Sequence, residues 1–172
     1  MTSPDVAVTE HALDAVYALP ASEACATTDV ANLLALPALP ELRARVLVLE
    51  RIVAQALALV DVGAFAKAEE LARRGIAEAQ AIPYARTEAA LLLIAGDTRK
   101  QSGDKKGAVE DYLHALGAGQ SAADDAMAGR AAARISVRSN WMGKTEEAER
   151  WNYAAEKLRV AWSTTMHCKW RF

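Results

Sequence analysis

The sequence predicts an all-α chain, a stack of three antiparallel helix pairs behind an N-terminal helical cap. Three observations predict it. Gly63, Gly103 and Gly143 stand 40 residues apart, and each is followed five residues later by alanine, at Ala68, Ala108 and Ala148. A copied and stacked helix pair leaves a fixed period of this size. Hydrophobic residues make up 52% of the chain but aromatics only 6%, so alanine, the best helix former, dominates the apolar share. The five prolines and nine glycines fall between periodic segments, where they punctuate.

The first 40 residues read as a separate element, a cap for the outer face of the array. A short helix is expected over 6–19, with Val8, Ala12, Ala15 and Leu19 as its apolar positions and Pro20 as its stop. Thr28-Asp29 would cap a second through Leu36, before Pro37 and Pro40 break the chain. Long helices follow. Leu42, Val46, Leu49, Val53, Leu57 and Val60 recur at three- and four-residue steps, predicting a helix from Glu41 to Asp61. Its partner should run from Phe65 to Gln80, with Pro83 at the next boundary. A third helix is expected over 84–101 and a fourth over 105–116, stopped by Gly117 and Gly119. Ser121 should cap a fifth helix to Trp141, and Thr145 should cap a sixth, with Glu146 and Glu147 in its first turn, to about 162. The units are thus 41–81, 84–119 and 121–162, with 163–172 as a tail.

Each periodic glycine falls in the turn inside a pair, where a positive φ is often required. Each following alanine falls early in the second helix, where a larger side chain would push the helices apart. Two more columns agree: Ala56, Gly96 and Ser136, and Gly75, Ala115 and Ala155, are all small.

The order Leu92, Gly96, Gly103-Asp104, Ala108, Tyr112, Ala115 in the middle unit resembles the tetratricopeptide repeat. The resemblance covers about residues 49–168 and departs in two ways. That family repeats every 34 residues, against 40 here, and Ala72 and Asn152 stand where the first and third units would match Tyr112. It implies a right-handed stack whose concave face, lined by the first helix of each pair, receives a protein or peptide. On this register the face draws on Val53, Leu57 and Val60, then on Leu93, Asp97, Lys100 and Gln101, then on Arg130, Arg134, Val137 and Trp141. Some members grip a partner's C-terminal carboxylate, and Arg130 and Arg134 match two of the basic places; Val53, Leu57 and Ile94 occupy the others.

Arg130, Arg134 and Arg138 recur at four-residue steps, forming one ridge. Such a ridge either accepts carboxylate or phosphate in two-pronged fashion or is a solvated, salt-bridged helix face. All four tryptophans fall within residues 141–170; Trp151 and Trp162 share a helix face that either packs the last pair or marks an interface. In the tail, Met166, His167 and Cys168 are adjacent, a poor basis for a metal site.

His11, His114 and His167 are scattered, and no catalytic or phosphate-loop motif is present. The expectation is no enzyme and no cofactor. Cys25 and Cys168 stand apart without metal-binding spacing. The first ten residues lack the basic and apolar regions of a signal peptide, and charges interrupt every apolar stretch, so a cytoplasmic protein with no membrane partner is expected. Net charge is -2, but residues 1–40 hold five acids and no Lys or Arg, whereas residues 129–172 carry a net +5. The ends can therefore attract within one molecule or between two, as in a homodimer, while a pI near 5.9 argues against nucleic acid. The function expected is a non-catalytic protein- or peptide-binding module (adaptor, chaperone or accessory subunit) whose partner offers an acidic or C-terminal group. A peptide-sensing regulator and a non-catalytic subunit or maturation factor of a larger enzyme are the alternatives.

Overall fold

In the computed structural model, residues 36–163 are described, with side chains as far as Leu158. The expected N-terminal helices, the side chain of Trp162 and the tail from residue 164 lie outside them. Six helices run in order: α1 (Pro40–Asp61), α2 (Phe65–Ala79), α3 (Ala85–Ser102), α4 (Lys105–Ser121), α5 (Asp125–Trp141) and α6 (Thr145–Ser163). Each packs on the next in sequence, and the described residues form helices and connecting turns with no strand among them.

The contacts divide the helices into two sets. The odd helices touch one another, α1 on α3 and α3 on α5, whereas the even helices approach only their neighbours in the chain. Thus α3 is packed by α1, α2, α4 and α5, and it buries every residue from Leu91 to Gly96. A helix enclosed on so many sides has no apolar stripe to distinguish. The core joins Val46, Leu49 and Val53 of α1 to Leu91, Leu92 and Ile94 of α3, Tyr112 of α4 and Ile135 of α5. Trp151 of α6 packs against this cluster, half-buried.

The periodic positions do distinct work. Gly63, Gly103 and Gly143 have φ of 74°, 87° and 75° and close the turns after α1, α3 and α5. Ala68, Ala108 and Ala148 are buried. In the third pair Ser136 Oγ donates to the Ala148 carbonyl at 2.7 Å, tying two of the small columns together. At Gly96 the missing side chain makes room for the Tyr112 ring, which occupies the place a Cβ would take.

Several boundaries differ from the expected ones, for local reasons. Helix α1 begins at Pro40, because a first-turn residue needs no backbone N–H donor and proline's φ already suits a helix. Helix α4 runs through Gly117 and Gly119 to Ser121. Gly119 is no stop: the Ala128 backbone of α5 comes within 2.8 Å of where its Cβ would stand, so glycine there permits a close crossing. Ser121 does not cap α5; its hydroxyl donates back to the Gly117 carbonyl at 2.9 Å, and Asp124 caps instead by accepting from the Met127 N–H at 3.0 Å. Thr145 is the first helical residue of α6 and not the residue before it.

These placements separate two glycines by their role. Gly96→Ala is expected to destabilise the protein by about 1–3 kcal/mol, through overpacking against Tyr112. Gly117→Ala, with nothing within 4 Å of the added atom, should stabilise α4 by up to about 1 kcal/mol. Denaturant midpoints of the two variants, measured against wild type, should move in opposite directions.

Candidate functional site

The odd helices present the face on which the sequence-derived site residues were expected, at six recurring places. One of these columns holds Glu50, Ala90 and Arg130, another Leu57, Asp97 and Val137, and a third Asp61, Gln101 and Trp141. Leu57 is exposed, as are Lys100 and Gln101. Leu93 is not: at 5% exposure it belongs to the core, because α3 is enclosed from several sides. Val137 is 57% exposed and Trp141 74%.

Asp97 and Arg134 are brought together, but by each other. Arg134 Nε and Nη2 grip the two Asp97 oxygens at 2.7–3.0 Å, joining α5 to α3. The buried Tyr112 hydroxyl of α4 donates to the same carboxylate at 2.8 Å. Burial works against the charged form of Arg134, but the Asp97 hydrogen bond and charge outweigh it and raise the pKa. Burial, then the Asp97 charge and hydrogen bond, push the Tyr112 hydroxyl far up, so it stays a donor. This trio is structural glue across three helices, and Arg134 is accordingly withdrawn from the contact set.

The other two arginines of the ridge differ. Arg130 is half-buried, and its pKa is lowered by burial and then by the Arg134 charge, partly offset by Asp124. Arg138 is 4% exposed, so it is no part of a solvated face. Its Nε has no hydrogen-bond partner, and its Cζ lies 5.8 Å from the centroid of the Trp141 ring. A cation over an indole face gains roughly 0.5–2 kcal/mol, well short of what a fully desolvated charge usually needs.

Sequence reasoning missed a second ion network, on the side of the even helices. Arg73 of α2 makes a two-pronged contact with Asp111 of α4, and Arg99 of α3 reaches Asp111 at 3.5 Å and Glu69 at 3.6 Å. The Asp111 hydrogen bond is the largest influence on Arg73 and raises its pKa. The available signal was columnar: Leu71 and Trp151 stand at the places matching Asp111, so its charge breaks an apolar column. Near the start of the odd helices, Arg86 pairs with Asp124 at 3.1 Å. Burial raises the pKa of Glu50 above the ordinary carboxylate range, partly offset by the Arg86 charge.

Among the described residues no group of three or more His, Cys, Asp and Glu is placed to hold a metal ion, and no helix is long and apolar enough to cross a membrane. What the odd-helix face can do chemically is bury an apolar side chain and attract an anion.

Two variants check these electrostatics. Asp97→Asn should destabilise by about 1–3 kcal/mol, the usual worth of hydrogen bonds to a charged group, whereas Lys100→Ala should stay within about 0.5 kcal/mol of wild type. Chemical denaturation reads both. Glu50 binds its proton more tightly folded than unfolded, so its contribution falls as pH rises through the folded pKa. Glu50→Gln should therefore raise the melting temperature at neutral pH and lose that advantage in acid, where the native glutamate is already protonated. No protein-family model, no curated protein and no solved structure matches this chain.

Proposed function

We propose that the protein is a non-catalytic, tetratricopeptide-like module that binds a protein or peptide partner on its odd-helix face. In this reading the three pairs are antiparallel and stack right-handedly, with α1, α3 and α5 lining the concave side. Packing among the odd helices but not among the even ones supports that arrangement, as do the positive-φ glycines in the three turns inside the pairs.

The observation that carries the function is Trp141, 74% exposed, with the 57% exposed Val137 one turn before it on a helix that also bears Arg130. A large aromatic side chain left in water beside a cation is the composition that anchors protein interfaces. Leu57 extends the apolar surface on α1, while Lys100 and Arg130 favour an acidic partner. Since Arg134 is held by Asp97, the C-terminal-carboxylate grip implied by the family resemblance keeps only one of its two basic residues.

Pull-down with mass spectrometry tests the reading. A partner retained by wild type should be lost, at least tenfold or about 1.4 kcal/mol, from a variant carrying Lys100→Glu and Arg130→Glu that melts like wild type. Equal recovery by that folded variant would remove the odd-helix face as the binding surface.

A further inference from the structure

Among the described residues, Arg138 is a buried charge with no carboxylate partner. Other arginines of the fold show the contrast: Arg134 has Asp97, Arg73 and Arg99 share Asp111, and Arg86 has Asp124. Arg138, 4% exposed, forms no ion pair with any described acid, and its Nε is unsatisfied. Burying a guanidinium is unfavourable unless it is paired, so a position that keeps one unpaired is poised for an anion from elsewhere. The matching places in the other units hold Ala58 and Thr98, so the cation is particular to the third unit. It lies beneath a surface made for an apolar group: the Trp141 ring faces it at 5.8 Å and is itself largely in water, and Val137 is exposed beside it.

We infer that Arg138 and Trp141 form an anchor for an acidic side chain of a protein partner, a Glu or Asp flanked by an apolar residue. The inference rests on the odd-helix face being the binding surface and names what that face selects. The Trp141 ring turns away from the guanidinium, the partner's carboxylate takes its place, and the flanking apolar side chain lies on Trp141 and Val137. Guanidinium suits this role because its fork meets both oxygens of a carboxylate. The site differs from a grip on a chain terminus, because it uses neither Arg130 nor Arg134 and takes a side chain.

The test uses the full chain and two fluorescein-labelled peptides blocked at both ends, Gly-Ser-Leu-Glu-Phe-Ser-Gly and its Gln counterpart. With no free terminus, only the side-chain carboxylate distinguishes them. Fluorescence anisotropy should show the Glu peptide binding wild type at least tenfold more tightly than the Gln peptide. Arg138→Met should erase that preference, and Trp141→Ala should weaken the Glu peptide at least tenfold. Arg138→Met removes a buried charge that no described acid pairs, at similar volume, so its melting temperature should not fall; if it does, Trp141→Ala, made at an exposed ring, decides alone. Equal binding of the two peptides, binding of neither, an unchanged preference in an Arg138→Met variant that melts like wild type, or undiminished binding of the Glu peptide by Trp141→Ala overturns the anchor. In the pull-down, a partner lost from the Lys100→Glu/Arg130→Glu variant but kept by Arg138→Met would overturn the anchor while leaving the face intact.

Discussion

The arrangement depends on one carboxylate and the empty space beside it. Gly96 lacks a side chain, so the Tyr112 ring of α4 lies directly against α3 and its hydroxyl reaches Asp97. Asp97 in turn holds Arg134 of α5. A buried hydroxyl and a half-buried guanidinium each gain from a partner, and both are satisfied by the same acid. Three helices from two successive pairs are thereby set relative to one another. The positions of Val137, Arg138 and Trp141, all within two turns after Arg134 on α5, follow from that setting.

Much of the fold was legible because its causes are local. A turn with positive φ calls for glycine, and three such turns at equal spacing leave three glycines. The boundaries that differed have causes from outside the segment. Gly119 reads as a helix stop in sequence, but its reason is the α5 backbone lying against it. Ser121 and Asp124 are both able caps; only the path of the chain decides that Asp124 meets a free N–H.

The binding face was legible in register but not in depth. Equal spacing identified which residues are equivalent, but α3 lies in the middle of the array, and that alone sinks Leu93 while Leu57 stays exposed. The ion pairs Arg73–Asp111 and Asp97–Arg134 span 38 and 37 residues, and no short motif reports a contact at such separation. Their trace is a charge interrupting an apolar column, as Asp97 does between Leu57 and Val137. Periodicity also hid Arg138, since a four-residue step groups it with Arg130 and Arg134 although burial sets it apart.

The Asp97–Arg134 pair also bears on how such an array can grow. One period earlier, the same two places are held by Leu57 and Ile94, so the charge pair between the second and third units has no counterpart between the first and second. The units share a skeleton but are not interchangeable. A second copy of the middle unit, inserted after the first, would set an aspartate opposite an isoleucine and leave the carboxylate with its own unit's tyrosine but no guanidinium. Duplication of this segment would have to be followed by paired replacement at the new seam. The order of the units is thus held by chemical grammar between neighbours, and each joint constrains how far the residues on either side can drift.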